Sequence, residues 1–261
     1  MVRNGVRISL HPAGHILGSA QVRVEYQGKV AVVTGDYKAE PDPTCTSYEP
    51  LRCHLFVTES TFGLPIYHWP KQSEVFAEID AWWRANQQEG RASLLMGYAL
   101  GKAQRALAGL NPETGPIFVH GSVASLNEGY AAAGVRLPEA RNPMEMPKGF
   151  DFSRSLIVAP PSVQGTPWMR RFGEVSDAFL SGWMAVRGTR RRRSVDRGFV
   201  LSDHVDWPSL MAAIGESGAE TVWVTHGYTA AVVRYLREQG MDAHVLPTRW
   251  EGEQDDGVPE E

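Results

Sequence analysis

Cysteine is nearly missing from this chain: Cys45 and Cys53 are the only two thiols in 261 residues. Two thiols cannot make a disulfide framework, and their spacing matches no CxxC metal motif, which excludes a cystine-stapled secreted scaffold and a thiolate zinc ribbon. A reducing cytoplasm is the compartment this usage implies. A strong net charge is lacking too. At a formal −4 and a pI near 6.1 there is no global electrostatic footprint for nucleic acid, so any polyanion has to be held by a local basic patch. No apolar run approaches the ~18 residues of a membrane span, and the start MVRNGVRISL lacks the apolar core of a secretory leader. The composition therefore reads as a soluble cytoplasmic protein with no membrane partner. Disorder is excluded as well, since 43% of residues are hydrophobic, 10% aromatic, and eight are tryptophan. The length allows one large domain or two small ones.

What is present is an ordered series of apolar segments. VRISLHPAGH, QVRVEYQGKVAVVTGDY and CHLFVTESTF read as strands, with alternation in VRVEY and a hairpin turn at Gly28. SEVFAEIDAWWRANQQEG reads as a helix with Ser73 as its cap and Gly90 as its stop, and Trp82 and Trp83 fall at core spacing in it. SLLMGYALGKAQRALAGL runs from a strand into a helix. GPIFVHG, SLIVAPP and RGFVLSDH are strands, WPSLMAAIGESG a helix, TVWVTHG a strand and AAVVRYLREQG a helix. The pattern is α/β alternation attached to an antiparallel start. Asn4-Gly5 is a strong hairpin-turn signal, yet the three residues before it are expected to be too few for a partner strand. The expectation is a chain that begins inside a domain.

Five of the strands lead into a residue that can hold a metal or move a proton. VRISL leads to His15, KVAVVTG to Asp36, LFVTE ends in Glu59, FVLSD leads to His204 and TVWVT to His226. Loops after strand ends of an α/β sheet converge on one edge, the usual place for a site. A carboxylate such as Asp36 costs several kcal/mol at such a place unless it is paired or bound to metal. Histidine and carboxylate without cysteine suit zinc or manganese in a catalytic rather than a structural centre.

In this order, HPAGHILGSA, VVTGDY, TESTFG, LSDHVDW and VTHG resemble the motif series of metallo-β-lactamase-fold nucleases of the β-CASP group, which includes RNA 3′-end-processing and DNA-repair enzymes. ESTFGLPIYHWP, YALGKAQRAL, SGWMAVRGTRRRR and DRGFVLSDHVDW are similar to the bacterial ligase-associated DNA exonuclease family, so the resemblance spans nearly the whole chain. It implies a metallo-β-lactamase αββα sandwich, truncated at its N-terminus, with an inserted β-CASP α/β cap. The sandwich would take residues 1–64 and 191–250, the cap 65–190, and 251–261 would be an acidic tail.

The resemblance makes His15 and His226 metal ligands and Asp36 the carboxylate that bridges two divalent metals, zinc or manganese. Glu59 would orient His204, which would contact the scissile phosphate or protonate its leaving oxygen. Asp36, Glu59 and His204 are thus the catalytic candidates. His11 carries no such role and reads as structural. The family's HxHxDH signature, which should precede this segment, occurs nowhere in these 261 residues; His15 and Asp36 on one side and Asp36 and His226 on the other would leave each metal two protein ligands.

The implied activity is phosphodiester hydrolysis as a DNA exonuclease, in end repair with an ATP-dependent DNA ligase and a helicase as partners. Arg187, Arg190, Arg191, Arg192 and Arg193 in RGTRRRRSVDR are candidates for backbone phosphate contacts, the alternative being a solvated loop. Arg170 and Arg171, beside Trp168, could add charge and stacking along a single strand. An RNA-processing nuclease of the same fold and an inactive nucleic-acid-binding homologue stay open as alternatives. A small-molecule hydrolase is disfavoured by the Glu59 and His204 motifs.

Overall fold

The fold is taken from a computed structural model that describes residues 1–192 and 194–248, without the side chains of residues 189, 190 and 192. Arg193 and the expected acidic tail at 251–261 lie outside the described residues. In chain order the strands and helices are β1 (Val2–Arg3), β2 (Val6–Pro12), β3 (Ala20–Tyr26), β4 (Lys29–Val33), β5 (Leu55–Ser60), α1 (Gln72–Gln88), β6 (Ala92–Met96), α2 (Lys102–Gly109), β7 (Ile117–Val119), α3 (Gly121–Ala132), β8 (Leu156–Ala159), β9 (Val175–Leu180), α4 (Arg187–Arg192), β10 (Arg197–Phe199), α5 (Trp207–Ser217), β11 (Thr221–Gly227), α6 (Thr229–Glu238) and β12 (Asp242–Val245). They form two compact units, one of Met1–His68 with the chain from Asp203 onward, the other of Trp69–Ser202. Among the described residues no helix is long and apolar enough to cross a membrane.

The first unit is built on a seven-stranded mixed sheet in the order β1-β2-β3-β4-β5-β11-β12. Its first four strands form an antiparallel meander, and β4, β5, β11 and β12 run parallel. Gln27 and Gly28, at φ 47° and 78°, make the tight turn between β3 and β4, the two positive values that a two-residue hairpin loop needs. Asn4 and Gly5 do the same at φ 51° and 78°. The expectation that too few residues precede that turn is overturned: Val2 pairs with Arg7 and Arg3 with Val6, and Met1 and Ile8 exchange two backbone hydrogen bonds.

Side chains alternate across this sheet. Val32, Phe56 and Val222 share a row that packs on Leu210 and Ile214 of α5 and Val232 and Leu236 of α6. Each such side chain contributes about 1.5–3 kcal/mol by leaving water. Helix α5 starts where the Asp206 carboxylate accepts from the Ser209 amide (3.1 Å), and it stops at the left-handed Gly218. The neighbouring row points the other way: Leu10, Val33 and Trp223 are 69%, 42% and 37% exposed.

The second unit is a doubly covered parallel sheet in the order β10-β9-β6-β8-β7. Leu95, Leu156, Val158, Ala178 and Leu180 face one apolar cluster; Leu94, Met96, Ile157, Ala159 and Phe179 face the other. Burial of both faces makes these strands read as continuous apolar runs. Trp83 is fully buried on α1 and Trp82 packs against the same cluster. Ser73 does not cap that helix, which begins at Gln72 after Lys71 with no side-chain cap. The molecule is thus mixed α/β, one sheet mixed and one parallel.

Candidate metal centre

The parallel strands β4, β5 and β11 end at one edge of the first unit's sheet, and the candidate residues gather there. The Thr34 amide donates to the Val57 carbonyl (3.0 Å), and Gly35, at φ 59°, turns the chain to present Asp36. Glu59 lies near the end of β5, opposite Thr225. Strand β11 then bulges: Gly227 pairs with Ser60, leaving His226 as the extra residue at φ 31°. A bulge re-aims a side chain, and a histidine at positive φ is held only where its surroundings enforce it. Here the Ser60 hydroxyl donates to the His226 carbonyl at 2.5 Å, and Gly227 sits so close that a Cβ would lie 2.3 Å from the Ser60 carbonyl oxygen.

His15 is presented by the loop after β2. Its amide and that of Ile16 both donate to the Ser19 hydroxyl (3.1 and 3.2 Å). Gly14, at φ 72°, has no room for a side chain, since a Cβ would stand 2.4 Å from the Lys38 carbonyl oxygen. The carbonyl of Gly14 accepts from the Cys45 thiol (3.3 Å), and Lys38 makes a buried ion pair with Asp42, which also accepts from the Thr44 amide (2.8 Å).

Hydrogen bonds fix how these groups can act. Glu59 is fully buried and His204 is 2% exposed. His204 Nδ1 lies 2.9 and 3.1 Å from the two Glu59 oxygens, which also accept from the Tyr37 amide (2.8 Å) and the Thr61 hydroxyl (2.5 Å). His15 Nδ1 donates to the Asp203 carbonyl (2.8 Å), because a carbonyl can only accept. The proton on Nδ1 leaves the ligating lone pair on Nε2. His226 Nε2 is 3.0 Å from Asp36 Oδ1. Burial pushes the Asp36 carboxyl up, but the hydrogen bond from His226 and the charges of His204, His15 and His226 outweigh it and hold it at about 2. The rings of His15 and His204 stand 4.8 Å apart.

Two groups of three could hold an ion, His15 with Asp36 and His204, and Asp36 with Glu59 and His226, each with one donor atom per residue within 4.8 Å of the others. Imidazole and carboxylate without thiolate fit a hard or borderline divalent cation. All five sequence-predicted centre residues thus come together. His11 lies apart in its bonding, held by Glu49 (3.1 Å) and Ser9 (2.9 Å). The anchors on Tyr37 and Asp203 are backbone groups and carry no side-chain signal in the sequence; Thr61, two residues after Glu59, does.

The arginine candidates belong to the second unit. The first six residues of RGTRRRRSVDR form the short helix α4, with Arg187 and Arg191 exposed. The side chains of Arg190 and Arg192, and all of Arg193, lie outside the described residues. Arg191 lines an open cavity of about 440 Å³ with Glu78, Asp196 and Arg197. Arg170 is exposed, whereas Arg171 donates to the carbonyls of Pro143 (3.1 Å) and Met146, and Trp168 packs on His120 and Phe172.

No protein-family profile matches the chain. It is 29% identical over 243 residues, 92% of its length, to a probable DNA ligase of Opitutus terrae, of which it spans 23%. Over 106 residues, 40% of the chain, it is 33% identical to endoribonuclease YSH1 of Saccharomyces cerevisiae, spanning 13% of that protein. Cleavage and polyadenylation specificity factor 73 of Drosophila melanogaster is 31% identical over 105 residues. A crystal structure of a protein of unknown function from Enterococcus faecalis shares the fold, with a TM-score of 0.61 at 11% identity over 95% of this chain and 64% of that one.

Proposed function

We propose that this chain, a homologue of the metallo-β-lactamase β-CASP nucleases, is a metal-dependent phosphodiesterase that acts on DNA as an exonuclease. The observation that carries the reading is the convergence of His15, Asp36, Glu59, His204 and His226 at one sheet edge, with each hydrogen-bonded to a partner that orients it. In this reading the first unit is the metallo-β-lactamase domain and the second the β-CASP cap.

His15, Asp36 and His226 would hold divalent metal, zinc or manganese, which when bound supplies an activated water and neutralises phosphoryl charge. The chain's own groups divide the remaining work. Glu59 holds the His204 ring by Nδ1, so that Nε2 is the atom able to hand a proton to the departing sugar oxygen; general acid catalysis of this kind contributes typically ~10²–10⁴-fold. Ser60 and Gly227 keep His226 in its bulge, and Ser19 and Gly14 keep His15 in its loop. Exposed Arg187, Arg191 and Arg170 would hold backbone phosphates, with Arg190, Arg192 and Arg193 in the same run. Arg171 is already engaged with carbonyls and is the weaker candidate.

DNA is favoured because the relative that matches over 92% of the chain is named a probable DNA ligase. That name also supports a role in end repair beside an ATP-dependent ligase; the helicase partner rests on the family resemblance alone. An RNA substrate is supported by the endoribonuclease relatives over 40% of the chain. The test is digestion of DNA and RNA strands of one sequence, labelled at either end, with manganese or zinc. Stepwise release of mononucleotides from DNA is expected; internal cuts confined to RNA would overturn the DNA assignment. Chelator-resistant binding without cleavage, weakened by salt and arginine substitution, would leave only a binding module.

A further inference from the structure

We propose that Ser9, His11 and Glu49 form a second reactive site, a serine nucleophile with its base and an orienting carboxylate, which is acylated by small carboxylic esters independently of the metal centre. None of the three belongs to that centre. Ser9 and His11 stand two apart on β2 and so share one face of the sheet. His11 Nδ1 lies 3.1 Å from Glu49 Oε1, and His11 Nε2 lies 2.9 Å from Ser9 Oγ. A carboxylate only accepts, so in the neutral ring the proton sits on Nδ1, and Nε2 accepts from the Ser9 hydroxyl. Both distances are those at which a base activates a nucleophile and a third group orients the base. The carboxylate is placed from its backbone: the Glu49 amide donates to the Pro12 carbonyl (3.1 Å), and the Glu49 carbonyl accepts from Gln21 Nε2 (2.7 Å). The loop after β4 is thereby tied to both β2 and β3.

Register supplies a fourth group. Arg23 on β3 pairs directly with Ser9, which puts the two side chains on one face as neighbours. Its Nη1 donates to Glu25 (2.9 Å), and the guanidinium has further N–H groups to meet an acyl oxyanion. The His11 and Arg23 side chains are 22% and 23% exposed, so a small ester can reach them. In the reaction, Ser9 Oγ bonds to the acyl carbon as the ester carbon–oxygen bond breaks, and the Ser9 proton passes through His11 Nε2 to the departing alcohol oxygen. Water then attacks the acyl carbon and gives a proton to Nε2; Ser9 Oγ leaves with that proton as the carboxylic acid departs.

Rapid mixing of the full chain with p-nitrophenyl acetate in chelator, beside peptide mapping of the chain after a fluorophosphonate probe, tests it. A nitrophenolate burst of about one equivalent is expected, with the phosphonate on Ser9. Ser9→Ala should abolish both, and His11→Gln should slow the burst by ~10²-fold or more. Glu49→Gln should slow it by about tenfold or more, and Glu49→Asp should restore most of that loss, a rescue that a purely structural contact does not predict. A burst undiminished in Ser9→Ala, ester release that stops in chelator, or a probe found only on other residues overturns the proposal. Mapping of the wild-type chain decides the matter even where a variant fails to fold. Because chelator is present throughout, failure of the metal-dependent reading leaves this result untouched, and a negative result here leaves that reading standing.

Discussion

Glu59 shows what single residues do in this centre. It is fully buried and accepts from an amide, a hydroxyl and an imidazole, so replacing it by glutamine keeps the shape while removing the charge that holds His204. Glu59→Gln is expected to lower kcat by ~10²-fold or more while KM for a labelled strand stays within about threefold, read by steady-state kinetics. Cys53 gives a second, independent forecast. Burial pushes its thiol up to about 11 from 9.0. Above pH 9 the unfolded chain loses this proton while the folded chain keeps it, so the unfolded state binds fewer protons and stability falls between pH 9 and 11. Denaturant midpoints across that window should drop for the wild type and drop less for Cys53→Ala. The five centre residues were legible in the sequence because each follows an apolar run that ends in a polar loop. Their anchors were not, since the Tyr37 amide and Asp203 carbonyl are backbone groups that any residue could supply.

At the scale of elements, the bulge in β11 and the Gly14 turn decide whether the ligands meet. Gly227 combines φ 77° with a Cβ position 2.3 Å from the Ser60 carbonyl oxygen, so Gly227→Ala must displace β5 or unwind the bulge. A loss of about 1–3 kcal/mol in urea unfolding is expected, with weaker metal binding, whereas Gly240→Ala, also at positive φ but with open space around it, should cost less. Some elements escaped the sequence for physical reasons. Strand β9, VSDAFL, carries a serine and a charge among its apolar residues, and α3, GSVASLNEGYAA, is rich in glycine and serine. The hairpin at Asn4-Gly5 was underrated because a two-residue strand suffices once Met1 and Ile8 close it. The missing cap at Ser73 shows packing of Val75, Ile79 and Trp83 outweighing a local start signal.

For the whole molecule, the row of Leu10, Val33 and Trp223 on the first unit's sheet leaves apolar surface in water. Patches of this kind bind apolar probes, so the folded chain should enhance ANS fluorescence, and Leu10→Lys with Trp223→Lys should reduce that signal while leaving cobalt binding within about twofold. The α/β character of the chain was legible from alternating strand and helix signals; the pairing order was not, because β6 lies between β8 and β9, far from it in sequence. Metal-dependent cleavage is tested most directly by hydrolysis of an end-labelled DNA strand by the purified chain with manganese or zinc, beside the same reaction in chelator and with Asp36→Asn. Release of nucleotides is expected, stopping in chelator and falling by ~10²-fold or more in Asp36→Asn. Cleavage that persists undiminished in both would contradict it.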